Sequence, residues 1–271
     1  MTTPVVLSLL QRTLIAATLA SVSTAALADI HSIRQRGKLV AGVSHVVPEY
    51  VAGTKFRTPE GMETAIAEAL AKRLKVAAAF VRAEPTSRAQ MLTAGKADVV
   101  LATVAPNESI GRTVTVLPTG YSAAPMAIMP TNTNIKTWEQ LKGRPVCISE
   151  KGLYSGKIAA KYGAVEKPFK APADALLALR TGQCDAAVHD STLLNELVRL
   201  PEWKKFSAHL PASPAVPLVF IFPESDAGIA AFLKQVTSEW QANGFISQLL
   251  TKTARQIAFE VYLDQDVPDC H

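Results

Sequence analysis

The sequence predicts an α/β protein of two lobes, each built on a parallel sheet covered by helices, with two crossing strands as the hinge between them. Three observations predict it. The short strands are apolar throughout instead of alternating, as strands buried on both faces must be. Amphipathic helices separate them. The strand-and-helix pattern then runs a second time, and an apolar strand with a long helix returns after Pro214, as if the second unit were inserted into the first.

In the first unit, Leu39–Val43 is a short apolar strand that ends in a polar, proline-containing loop through Tyr50. Pro59, Glu60 and Gly61 are turn residues. They open a helix in which Met62, Ile66, Leu70 and Leu74 recur at helical spacing. Ala77–Val81 reads as a strand, Arg88–Ala94 as a helix stopped by Gly95, and Asp98–Thr103 as a third strand. In the second unit the expected strands are Met126–Met129, Pro145–Ser149 and Asp185–Val188. The expected helices cover 137–141, 157–162, 172–180 and 192–198. Val216–Phe222 is a further strand, and 229–250 is helical with a break at Gly244. The chain is expected to cross between lobes near Met126–Pro130 and Ser213–Val219. This gives lobe 1 as residues 29–127 with 216–271, and lobe 2 as 128–215.

Residues 1–28 have the form of a secretory signal peptide: Arg12, an apolar run from Thr13 to Thr24, then Ala26-Leu27-Ala28 as the cleavage pattern. That run is shorter than the roughly 20 residues a spanning helix needs. No cysteine stands at the cleavage point to carry a lipid, so the expected location is the periplasm. The formal net charge of +5 is scattered without interleaved aromatics, which argues against a nucleic-acid surface. Export permits a disulfide. Cys147 and Cys184 each lie in or beside a strand of the second lobe and are the favoured pair, while pairing through Cys270 stays open because connectivity is not readable from spacing. The spacings fit no zinc signature, and neither metal nor cofactor is expected.

Several blocks in order resemble the family 3 extracellular solute-binding proteins. They include Ile33-Arg34-Gln35-Arg36-Gly37-Lys38-Leu39-Val40-Ala41-Gly42-Val43, then Ala94-Gly95-Lys96-Ala97-Asp98, then Trp138-Glu139-Gln140-Leu141-Lys142-Gly143. Ala175–Asp190 and Asn243-Gly244-Phe245 continue the likeness, which covers essentially the whole chain after the leader. The resemblance implies the periplasmic-binding-protein fold, a small polar solute held between the lobes, and delivery to the membrane permease of an ABC importer. It implies no catalysis, and a monomer is expected.

The same resemblance implies a set of site residues. Asp190 matches the aspartate that takes the ligand ammonium, although an Asp after a strand also serves as a helix N-cap. Thr103 keeps one hydroxyl of the first-lobe strand end. The arginine that clamps the ligand carboxylate is displaced: ungapped counting puts Ile110 there, and Arg112 follows two residues later. Arg112 is the candidate ahead of Arg88 and Arg144, on the condition that the loop adjusts; otherwise it is a surface residue. Tyr50 matches the aromatic that ends the first loop, and Gly152 and Ser155 match a helix-entry loop that meets the carboxylate. Pro85 stands where a second aromatic is expected, and Ala65 where a second acid is expected, so an ordinary α-amino acid is not assured as the ligand. Two other classes compete: a cyclohexadienyl or arogenate dehydratase-like enzyme on the same fold, with Glu150 as its acid, and a soluble sensor or assembly factor.

Overall fold

The computed structural model describes residues 29–46, 55–59, 61–105, 107–150 and 152–265. The leader, Tyr50 and Cys270 therefore lie outside the described residues.

The first sheet is assembled from β1 (Lys38–Val43), β2 (Ala77–Arg82), β3 (Val99–Thr103), β4 (Val114–Ala123) and, from late in the chain, β10 (Val216–Pro223). Their order is β2-β1-β3-β10-β4. Helix α1 (Ile30–Arg36) leads into β1, α2 (Met62–Leu74) joins β1 to β2, and α3 (Arg88–Thr93) joins β2 to β3. The helical stripe expected of α2 is the stripe it buries: Met62, Ile66, Leu70 and Leu74 sit in the same core as Leu39, Phe220 and Trp240. At an assumed 1.5–3 kcal/mol for each fully buried side chain, such a face holds a helix more firmly than its intrinsic propensity does. At Gly42 the packing is close, since a Cβ there would lie 2.7 Å from Val100 Cγ2 and 3.0 Å from Ala83 Cβ.

The second sheet repeats the plan with β5 (Pro125–Met129), β6 (Pro145–Ser149), β7 (Val165–Phe169), β8 (Ala186–Asp190) and β9 (Ala208–Leu210), in the order β7-β6-β8-β5-β9. Helices α4 (Lys157–Tyr162), α5 (Pro172–Arg180) and α6 (Ser191–Leu197) connect them. Cys147 in β6 and Cys184, just before β8, form the favoured disulfide, with their Cα atoms 5.7 Å apart.

Three expectations need correction. The sheets are mixed, not parallel: β10 runs antiparallel to β3 and β4, and β5 antiparallel to β8 and β9. These are the strands beside the crossings, where the chain returns from the other lobe and reverses direction. The first crossing lies at Ala124, between β4 and β5, so Met126–Met129 belongs wholly to the second sheet. Strand β4 was not anticipated, because Pro118 and Gly120 interrupt its sequence as turn residues do; the register of its pairing with β10 shifts between Pro217 and Val219.

Past Gly244, which caps α7 (Ala227–Asn243) in the left-handed conformation, α8 (Phe245–Asp264) leaves the first lobe. Its Phe245, Ile246, Leu249 and Leu250 pack against the first core, and Ala254, Ile257, Ala258 and Val261 are buried in the second. The helix is thus a third connection between the lobes. Residues 55–59 reinforce it, since Arg57 pairs with Asp264 of α8 and with Asp174 of α5, and Thr58 donates to the buried Glu260. Among the described residues no helix is long and apolar enough to cross a membrane.

Candidate functional site

A cavity of about 550 Å³ lies between the two sheets and is lined from both. The first-lobe wall comes from the ends of β1, β2 and β3. Ser44 and His45 follow β1, Glu63 opens α2, Arg88 opens α3, and Thr103 closes β3. The second-lobe wall is the turn between β6 and α4, with Gly152, Leu153 and Ser155, and then Lys157. Loops at strand ends, facing one another across a crossing, are where open α/β sheets place their ligands.

Glu63 is buried, and both of its oxygens are used: the Ser44 amide donates at 2.7 Å and the Ser44 hydroxyl at 2.9 Å. Burial raises its pKa above the usual carboxylate value, against the pull of those two bonds and of Arg88. Arg88 Nη1 donates to Glu108 Oε1 at 2.9 Å, with the arginine side chain only 8% exposed. The Ala105 amide donates to the other oxygen of Glu108. Acids and bases are thus interleaved on this wall, a pattern suited to a ligand that itself carries both charges.

Asp190 sits at the end of β8, buried, and takes the N-cap position of α6. Its Oδ1 accepts from the Thr192 amide at 3.0 Å and the Thr192 hydroxyl at 2.6 Å, while Tyr154 donates to Oδ2 at 3.2 Å. Burial raises the Asp190 pKa, opposed by hydrogen bonds from Thr192, Tyr121 and Tyr154. The capping function weighed from sequence is therefore present. Asp190 lines a separate chamber of about 20 Å³ with Tyr121, Leu153 and Gly61, and not the large cavity.

Of the other expected residues, Thr103, Gly152 and Ser155 come together around the cavity. Arg112 does not: it is exposed and absent from the lining. The buried guanidinium at the cavity is that of Arg88, ranked behind Arg112 from the sequence, while the exposed Arg82 also borders it; the signal for Arg88 was the turn Glu84-Pro85-Thr86-Ser87, which sets α3 at the mouth of β2. Glu63 and Glu108, which are not among the site residues expected from sequence, both line the cavity. Glu150 is exposed and outside the lining, so the acid assigned to a dehydratase is not at the cavity. Among the described residues, no group of three or more His, Cys, Asp or Glu is arranged to hold a metal ion.

The model of the bacterial extracellular solute-binding proteins, family 3, matches residues 39–255. A glutamine-binding protein from Geobacillus stearothermophilus is 26% identical over 175 residues, or 61% of this chain; the chain spans 65% of that relative, just under two thirds. Among solved structures, a mutant of ArgBP from T. maritima aligns with a TM-score of 0.55 at 22% identity, covering 82% of this chain and 97% of that one. An ancestral cationic amino acid solute-binding protein, AncCDT-1, aligns with a TM-score of 0.57 at 22% identity, covering 82% and 98%. At this identity the two structures speak for the fold.

Proposed function

The chain belongs to the bacterial extracellular solute-binding proteins, family 3, and from that membership we propose that it captures a small polar, amino-acid-like or carboxylate solute between its lobes in the periplasm and presents it to the permease of an ABC importer. Export would use residues 1–28 as a cleaved leader. In this proposal one lobe is residues 29–124 with 216–244 and the other 125–215, with α8 lying across both.

The observation that supports it best is the cavity of about 550 Å³ with paired charges on one wall and a polar turn on the other. Ligand contacts made to both walls would favour the closed form by their differential affinity for it. Arg88 is the group proposed for a ligand carboxylate, with Thr103, Gly152 and Ser155 as neighbours. Asp190 is proposed for a ligand ammonium that reaches its chamber. The glutamine- and arginine-binding relatives make those two amino acids the first to try. The process proposed is reversible binding without chemistry by a monomer.

Calorimetry of the purified protein with L-glutamine, L-arginine, opines, polyamines and small dicarboxylates tests it. Saturable binding of one class, weakened by Arg88→Ala, is the expected result. Heat-silent titrations across the whole panel, with no thermal shift, would sink the proposal, and turnover of prephenate or arogenate would replace it by the enzyme.

A further inference from the structure

Leu153 is the residue that the second lobe pushes into the cleft. It lies in the turn between β6 and α4, is half-buried, and packs against the first-lobe core and the second-lobe core at once. It also borders three spaces together. One is the cavity of Glu63 and Arg88, one is the small chamber of Asp190, and the third is a chamber of about 230 Å³ beside both crossings, lined by Thr103, Ile158, Tyr162 and Val216.

A side chain that borders three neighbouring spaces is their common partition. The Asp190 chamber, at about 20 Å³, is closed to anything much larger than one water. The buried Asp190 carboxylate and the buried Arg88 guanidinium are the natural poles for a zwitterion, and one leucine stands among the spaces that hold them. The Leu153 side chain offers its neighbours only apolar contact, so its bulk is what divides the cleft.

We propose that Leu153 is the specificity-determining residue of this cleft: its bulk divides one interlobe space into chambers and limits the ligand to solutes whose bulk the Arg88 cavity holds, with no more than an ammonium-sized group entering the Asp190 chamber. Shortening it joins the chambers and shifts selection toward longer cationic amino acids that span Arg88 and Asp190. The specificity part rests on the solute-binding function proposed above; the partition part does not.

Two readouts on the purified protein, on Leu153→Ala and on Leu153→Met separate these parts. The first is carbodiimide-driven labelling of the Asp190 carboxylate, measured on the peptide by mass spectrometry. At least tenfold faster labelling in L153A is expected, with L153M, which keeps the volume, close to the unaltered protein. Equal labelling in all three overturns the partition. The second is calorimetry with glycine, L-glutamine and L-arginine, in which L153A is expected to gain at least tenfold for arginine relative to glycine. An unchanged ratio overturns the specificity role. Absence of binding by every protein to all three overturns that role; the solute-binding proposal falls only with silence across the full panel above, and the labelling still decides the partition. If L153A does not fold, Leu153→Val carries the same two readouts.

Discussion

Arg88 and Glu108 face each other at 2.9 Å on the first-lobe wall, so the buried guanidinium in the cavity already holds a carboxylate of its own chain. An incoming anionic group has to share or displace that partner. Arg88→Ala is expected to weaken ligand binding at least tenfold and to cost about 2 kcal/mol of stability, because Glu108 and Glu63 lose their nearest cation. Glu108→Gln is expected to tighten binding of a carboxylate ligand by freeing the guanidinium. Calorimetry paired with urea melts reads both; equal affinity in all three proteins would remove Arg88 from the site.

The cap that Asp190 gives α6 and the ligand role proposed for it can be separated. Asp190→Asn keeps an oxygen for the Thr192 amide, so the α6 cap survives, whereas Asp190→Ala removes it and costs about 1 kcal/mol. If Asp190 also meets a ligand ammonium, both variants lose affinity, and the Asn variant does so with nearly normal stability. A normal affinity in D190N leaves the residue as a cap alone.

The pH dependence of stability follows from the direction of the Asp190 shift. Its folded pKa lies above the ordinary 3.8, because burial disfavours the anion. Between the two values the native state keeps a proton that the unfolded chain has released, so this residue's contribution is fully present below the unfolded value and is lost as pH rises through the folded one. Glu63 is shifted in the same direction and for the same leading cause. Denaturant melts of the unaltered protein and D190N across pH 3.5–7 are expected to show the stability of the unaltered protein, relative to D190N, falling as pH rises; parallel curves would contradict the shift.

The Cys147–Cys184 bond closes a loop with a sequence separation of 37, from the strand that carries Ser149 to the residues just before the strand that carries Asp190. Chain-entropy arguments put its worth at about 4 kcal/mol. Replacing both cysteines by alanine should lower the denaturation midpoint accordingly, and an unchanged midpoint in non-reducing buffer would show that the bond does not stabilise the fold.

Gly42→Ala should destabilise by about 1–3 kcal/mol, since β1 and β3 approach too closely for a methyl group at that position. A thermal melt checks it. Val100→Ala in the same protein, by removing the methyl group met at 2.7 Å, is expected to recover part of the loss.

Much of the fold was legible because periodicity and apolarity are local properties. Met62, Ile66, Leu70 and Leu74 announce a buried helix face whatever it faces, and Val99–Leu101 announces a strand covered on both sides. Neither pattern carries direction. Hence the antiparallel pairings of β5 and β10 were not readable, and nor was the fact that α8 turns its first half to one core and its second half to the other.

For the cleft, the residues themselves determined a two-lobed α/β chain, most of its helices and its inner strands, and they favoured Cys147–Cys184 without fixing the pairing. Tertiary structure alone decided which charges meet. Residues 104–113 have no period to count along, and there Arg112 lies exposed, while Arg88, the lower-ranked arginine, is buried and paired with Glu108. The position of a side chain in a cleft depends on how loops from separate strands fold over one another, and in those loops the contacts that fix the chain come from elsewhere in the fold.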